Sequence, residues 1–376
     1  MKVLALTPNP VATSPGHRFR LGQWVPFLRE QGIEIVCAPF ASEALVRILY
    51  QRGHSLEKVG RFLGAYSRQL TRIANAKRFD LVYVFREAAL IGPAWIEGCI
   101  ARRGLPIVFD FDDAIFLRYK SPSNGYWSYL KFPGKTSKLC RLARQVMAGN
   151  DYLASYASRF NDEVTIVPTT IDVELYRPAL RRAATEPPTI GWTGSHSTAQ
   201  HLITIVPALE ELARHRRFRL LVVGAEPPAI RGVEVEARPW RAASEAQDLS
   251  DVDVGIMPLP DDEWSRGKCG LKALQFMALG IPTVVSPVGV NLQIVRHGEN
   301  GLVAGTERDW VEKLSSLLES AERRHRLGAQ ARHTVVEHYS ARSVAPRVVE
   351  VFRRAVETPA PRYRDPLEAA RKHGLA

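Results

Sequence analysis

The chain has 376 residues, 45% of them hydrophobic and 24% charged, which excludes a disordered polymer and leaves room for two domains with separate cores. The formal net charge of +12 points to a polyanionic partner such as nucleic acid, an anionic membrane surface or a phosphorylated substrate, although solvated faces account for most of the arginine-rich helices and basic tail. No apolar run reaches the roughly 20 residues of a membrane helix. Cys37, Cys99, Cys140 and Cys269 lack metal-ligand spacing, so the expectation is reduced thiols in a cytoplasmic protein.

The opening MKVLALTPNP is too short in its apolar part, and too soon broken by proline, for a secretory signal, and reads as a strand at 3–6. A turn-rich loop carrying Gly16, His17, Arg18 and Arg20 follows. The next helix has apolar positions Leu21, Trp24, Val25 and Leu28, with Gly32 as its stop and a strand at 33–38 beyond. This β-α-β unit places its long loop at the strand end where open α/β sheets bind ligands. For Arg20 alone, a solvated helix start is an equal alternative. Residues 42–77 read as basic amphipathic helix, a packed insertion or a face for anionic lipid.

Strands are expected at 79–85, ending on Arg86 and Glu87, and at 105–111, ending on Asp110, Phe111, Asp112 and Asp113. Strand alternation puts Asp110 and Asp112 on one face, where carboxylates at the end of an apolar strand are costly unless they act on something. The cluster reads as a metal site, as a pair orienting hydroxyl groups of a ligand, or, for Asp113, as a helix cap paired with Arg86. Residues 121–138 mix aromatics with lysines, as an acceptor or membrane-interface contact would. Short strands follow at 143–149 and 164–168.

A second domain begins with a strand at 189–192 and the turn Thr193-Gly194-Ser195-His196-Ser197-Thr198, leading into a helix at 199–215. Glycine and serine at such a turn let backbone N–H groups approach a phosphate. His196 is weighed as a general base and assigned instead to a solvent-facing helix start. Strands are expected at 220–224, 233–237 and 252–258, with Trp240 after the second of them. Residues 266–304 then carry the main signal: Gly267 and Gly270 in a loop, a helix with Leu271, Leu274, Met277 and Ala278, a stop at Gly280 and a buried strand at 283–286. Lys268 and Lys272 flank the start of that helix, where unpaired N–H groups and the helix dipole favour an anion. From 307 onward the chain reads as helical, with a stripe of Trp310, Leu314, Leu317 and Leu318, and residues 359–376 as a loosely ordered tail.

Met277, Ala278, Gly280, Ile281 and Pro282, with Gly289 and Asn300-Gly301 downstream, resemble the donor-binding segment of retaining, family-4-like nucleotide-sugar glycosyltransferases of the GT-B fold. That family's two glutamates are replaced here by Gly267 and Gln275. The resemblance implies an α/β chain of two Rossmann-like, doubly wound parallel-sheet domains facing across a cleft. The expected boundaries are 1–170, with 341–376 packing back on it, a linker at 171–188 and a donor domain at 189–340. It further implies that Gly16 and Arg18 face the donor phosphates. Gly194, Ser195, Lys268, Gly270, Leu271 and Lys272 would then serve the diphosphate, Gln275 the ribose and Trp240 the base, while Asp110 and Asp112 act in catalysis on acceptor or sugar.

Metal would not be needed, and no cofactor is implied beyond the substrate, a UDP- or GDP-sugar. The expected partners are that donor and a glycan or lipid-linked acceptor, with an anionic membrane surface possible in addition and no nucleic acid; the protein would be cytoplasmic and peripheral to the membrane. Two rivals use the same fold: a nucleotide-sugar epimerase, and a non-catalytic module binding a polyanionic partner.

Overall fold

The computed structural model describes residues 1–10, 15–49, 51, 53–117, 132, 134–178 and 187–357. They form two compact units, one of Met1–Pro168 with the described residues from Val344 on, the other of Thr169–Ser343. The readings at 121–131 and 133, at 179–186 within the expected linker, and of the tail at 359–376 lie outside the described residues.

The first unit is a six-stranded, all-parallel sheet of β1 (Lys2–Thr7), β2 (Glu34–Pro39), β3 (Leu81–Phe85), β4 (Ile107–Phe111), β5 (Gln145–Ala148) and β6 (Val164–Ile166), in the order β2-β1-β3-β4-β5-β6. The inner strands read as apolar runs, LVYVF in β3 and, interrupted only by Asp110, IVFDF in β4, and are buried along their length, as parallel strands covered on both faces are. The order reverses at β1 and β3, since β2 lies to one side of β1 and every later strand to the other. In open α/β sheets ligands bind at such a switch point, beyond the carboxyl ends of the strands. The helix Ala341–Glu357 packs on this unit through Phe352, whose ring lies 5.8 Å from Tyr83, and through Arg347, which donates to the Ile166 carbonyl at 2.9 Å.

The second unit repeats the design with β7 (Thr189–Thr193), β8 (Arg219–Val223), β9 (Glu234–Arg238), β10 (Val254–Met257), β11 (Thr283–Val285) and the two-residue β12 (Leu302–Val303), in the order β12-β11-β10-β7-β8-β9. Its switch point lies between β7 and β10. Its core joins Ile190, Trp192, Leu220, Val222, Val254 and Ile256 of the sheet to the predicted stripe Trp310, Leu314, Leu317 and Leu318.

Three local expectations are corrected. The single helix expected at 199–215 is two, Ala199–Ile203 and Val206–His215. Pro207 opens the second, as a residue with no N–H to donate can only at a helix start. β12 escaped the sequence reading because two residues carry no periodicity. Residues 171–178, read as the start of the linker, are built into the second unit: Ile171 bridges to Ser340, Tyr176 is fully buried, and Arg332 donates to the carbonyls of Val173 and Tyr176.

Candidate active site

At the switch point of the second unit the loops after β7, β8 and β9 pack directly on one another. A Cβ at Gly194 would lie 2.5 Å from the Trp192 ring and 2.6 Å from Thr198 Oγ1, and one at Gly224 would lie 2.3 Å from the Gly194 carbonyl oxygen and 3.1 Å from Trp240 Cβ. Only glycine permits this approach. The structure thereby brings Gly194, Trp192 and Trp240 to one sheet edge.

The loop after β10 delivers the lysines to the same edge. Gly270, at φ +72°, caps the helix Leu271–Ala278, and a Cβ there would lie 2.2 Å from Ile294 Cδ1. The left-handed backbone and the tight contact both demand glycine. Lys272 Nζ lies 5.2 Å from the Trp192 ring centroid, and Lys268 Nζ lies 4.7 Å from that of Trp264. The lysine charges are felt at His201, which is buried and whose Nδ1 meets no partner among the described residues. Burial first, then Lys272 and Lys268, lowers its pKa from 6.5 to about 4. Two cations and a glycine-capped helix start make this edge an anion site in outline.

The amides of Gly194 and Ser195, expected to face the diphosphate, are otherwise engaged. Gly194 N donates to the Val223 carbonyl at 3.0 Å. Ser195 N donates to Thr198 Oγ1 at 3.1 Å, half of a capping box around the turn His196–Thr198. An N–H already donating within the fold has nothing left for a ligand, so the turn shapes the edge and does not bind through those groups. His196 is exposed, as the helix-start reading expected.

Gln275 and Trp240, paired in the sequence only by analogy, meet through a third residue. Gln275 is 2% exposed and its Nε2 donates to Glu245 Oε1 at 2.8 Å and to the Tyr176 hydroxyl at 3.0 Å. Trp240 Nε1 donates to the same Glu245 oxygen at 2.8 Å. Neither Glu245 nor Tyr176 was expected. Both lie in unremarkable polar stretches, and only the folded chain joins positions 176, 240, 245 and 275.

The first unit answers with carboxylates and arginines at its own switch point, between β1 and β3. Asp110, expected to be catalytic, is fully buried and accepts from Arg20 Nε at 3.1 Å, from Arg20 Nη2 and from the Tyr83 hydroxyl. Burial raises its pKa against the opposing pull of Arg20. Burial by itself would lower Arg20, but the charge of Asp110 more than offsets this and the guanidinium is held above its ordinary value. Asp110 is therefore a core ion pair, closed to substrate, and Arg20 is neither a donor ligand nor a solvated helix start.

Asp112 and Asp113 turn instead to Arg86, whose Nε donates to Asp112 Oδ1 at 2.6 Å and Nη2 to Asp113 Oδ2 at 3.0 Å. Arg86 has φ +59°, a left-handed conformation that costs a side-chain-bearing residue about 1–3 kcal/mol and concentrates at functional sites. Gly16 lies against this pair, its virtual Cβ 3.3 Å from Arg86 Nη2 and 3.5 Å from Asp112 Oδ2. Arg18 lays its guanidinium 4.4 Å from the Phe19 ring centroid. Of the reading of Asp113 as a helix cap paired with Arg86, the ion pair is present, and the described residues that follow are a turn at 115–116 and a bend at 117. The three aspartates face two different arginines, and among the described residues no group of three His, Cys, Asp or Glu is placed to hold a metal.

The family model for glycosyl transferases group 1 matches residues 187–320. The match lies within the second unit, which is thus similar to a group 1 glycosyl transferase domain. Over the longer chain, the D-inositol 3-phosphate glycosyltransferase of Rhodococcus opacus is 28% identical over 246 residues, 57% of this chain and 53% of that protein. The chain spans about half or less of the length of the curated relatives it matches. Among solved structures, sucrose-phosphate synthase from Thermosynechococcus elongatus superposes with a TM-score of 0.68 at 16% identity, covering 94% of this chain and 98% of that one. Anabaena HepE, in complex with UDP and glucose, does so with a TM-score of 0.66 at 13% identity, covering 94% and 99%. Both strand-order patterns and these superpositions give the chain the GT-B fold. The matched residues include Lys268, Lys272, Trp240, Glu245 and Gln275, whereas Gly16, Arg86 and Asp112 lie outside them.

Proposed function

We propose that the protein is a glycosyltransferase that moves a sugar from a nucleoside-diphosphate sugar to an acceptor. The observation that carries this reading is the placement of Lys268 and Lys272 at a glycine-capped helix start on the switch-point edge of a unit similar to a group 1 domain. Transfer breaks the bond between the sugar and the diphosphate, so negative charge grows on the leaving phosphate. The two ammonium groups and the first-turn amides from Leu271 onward stabilise that charge without rearrangement. They take the place of the turn amides at 194 and 195. Gln275 serves the ribose and Trp240 the base, while Asp112, held by Arg86, orients acceptor or sugar hydroxyls. Donor binding belongs to residues 189–340 and acceptor binding to the first unit. A UDP-sugar, in line with the UDP bound to HepE, or a GDP-sugar as donor, and glycan or lipid-linked acceptors, are the substrate classes that suit the reading.

A peripheral membrane role has its own support. No helix among the described residues is long and apolar enough to cross a bilayer. The helix Ser55–Ala74 nevertheless exposes Leu56, Val59, Leu63 and Leu70, at spacings that put them on one face, in a chain of net charge +12. Co-sedimentation with anionic but not with neutral vesicles, lost in Leu56→Gln/Leu63→Gln, is the expected result.

The test of function is a thermal-shift screen against UDP, GDP, ADP, CDP and dTDP, with divalent metal and with chelator, because ligands that bind only the native state raise its stability. Selective stabilisation by one of them in chelator is expected. Product analysis with the matching sugar nucleotide should then give free nucleotide and a new glycoside. An isomerised sugar nucleotide would instead indicate an epimerase, and no binding at all a non-catalytic module.

A further inference from the structure

We propose that Glu245 is a positioning residue of the nucleotide subsite and that its carboxylate is the reason position 275 carries glutamine. The inference rests on reading the second unit as the nucleotide-sugar domain. Glu245 opens the helix Glu245–Ser250 and is 3% exposed. Its Oε1 accepts from Trp240 Nε1 and from Gln275 Nε2, each at 2.8 Å, and its Oε2 accepts from the Tyr176 hydroxyl at 2.8 Å. A carboxylate only accepts, so the Gln275 carboxamide has one workable orientation, NH₂ toward Glu245 and Oε1 away. Both Gln275 bonds use Nε2. With Nε2 engaged inside the fold, Oε1 is the group of Gln275 that would accept from a ribose hydroxyl.

The same carboxylate holds the Trp240 indole, whose Cβ already lies against the close-packed strand ends at Gly224. One buried group thus orients both side chains that the reading assigns to the nucleoside. A glutamate at 275 would bring a second carboxylate within hydrogen-bond distance of Glu245. One of the two would then have to hold a proton or turn away, since like charges at that range cannot both ionise without large cost. The carboxylate missing from position 275 is therefore supplied from 245, and the two positions are coupled.

The test is calorimetric titration of the full chain with UDP, GDP, ADP, CDP and dTDP for the wild type, Glu245→Gln, Gln275→Glu and the swap Glu245→Gln/Gln275→Glu. Each single variant is expected to weaken binding of the preferred nucleotide by about tenfold, the scale of one hydrogen bond to a charged group, and to blunt discrimination among bases. The swap should recover most of that loss, because one carboxylate and one carboxamide again face each other. Variants that lower thermal stability yet keep wild-type affinity and base discrimination would reduce Glu245 to a structural role and overturn the inference. A swap no better than the single variants overturns the coupling.

If Glu245→Gln or the swap fails to fold, Tyr176→Phe decides, because it removes only the hydroxyl shared by Glu245 Oε2 and Gln275 Nε2 and leaves both side chains assigned to the nucleoside intact. Unchanged base discrimination in that variant overturns the inference. A wild type that binds none of the five nucleotides overturns the nucleotide reading itself, and the inference with it. Wild-type binding with unaffected variants overturns the inference alone.

Discussion

The two units are built alike and put opposite chemistry at the same place. Each has six parallel strands and a switch point beside its first strand, with a glycine-bearing loop after that strand. At the edge of the first unit, arginines and aspartates neutralise one another: Arg20 with Asp110 in the core, and Arg86 with Asp112 and Asp113 at the rim. At the edge of the second, lysines lie against indole rings, and nearby carboxylates such as Glu245 are given over to tryptophan, tyrosine and glutamine donors. Common topology therefore dictates where a ligand binds and leaves open what it is. The closed ion pairs of the first unit suit a neutral hydroxyl-bearing acceptor, and the lysine edge of the second suits a diphosphate.

The comparison is broken most severely through the buried pair. Replacing Arg20 with Met leaves Asp110 charged and unmatched in the core, at a cost of about 3–5 kcal/mol. Denaturant unfolding should show this as a large loss of midpoint, with nucleotide affinity kept in whatever fraction still folds. Lys268→Ala should do the reverse, weakening nucleoside-diphosphate affinity by roughly tenfold to a hundredfold while the melting temperature of the free protein stays within about 1–2 °C, as for a surface change. Unchanged affinity would remove the lysine from the phosphate site.

A pH series sharpens the contrast, because each unit buries one histidine. His17 and His201 both have pKa values lowered from 6.5 to about 4, in each case chiefly by burial. Between those values the unfolded chain binds protons that the folded chain does not. Their contribution is complete above pH 6.5 and is lost as pH falls toward 4. Stability measured from pH 7 down to 4 should fall accordingly, and His17→Phe should flatten the first unit's share alone. The lysines of the second unit add a ligand effect: a bound diphosphate brings negative charge beside Lys268 and Lys272, and His201 should then titrate higher than in the free protein.

The smallest effects concern the rim of the first unit. Asp112→Asn should depress turnover several-fold while sparing nucleotide binding, and equal loss of both would reassign Asp112 to folding or donor binding. Asp113→Asn, in a partly exposed pair, should cost no more than about 1 kcal/mol and leave turnover near wild type. Equal losses in the two variants would mean that Arg86 merely needs acid, whichever aspartate supplies it.

The parallel α/β class, the burial of VLAL, LVYV and IVF, and the glycine-capped helix start at Gly270-Leu271 were legible in the sequence, because each is a local consequence of hydrophobic runs and glycine placement. The strand order, and hence the two switch points, was not. Residues 16, 86 and 112, or 194, 224 and 240, become neighbours only when strands far apart in the chain pair. Asp110 and Asp112 show the limit most plainly: one apolar strand ends on both, and the pattern makes them equivalent. Tertiary structure separates them, because Arg20 and Tyr83 reach the first inside the core and Arg86 reaches the second at the rim. Composition and periodicity record which side chains a segment carries, but the partner that decides whether a buried charge is neutralised or left for a ligand comes from another segment, and that pairing is made only by the fold.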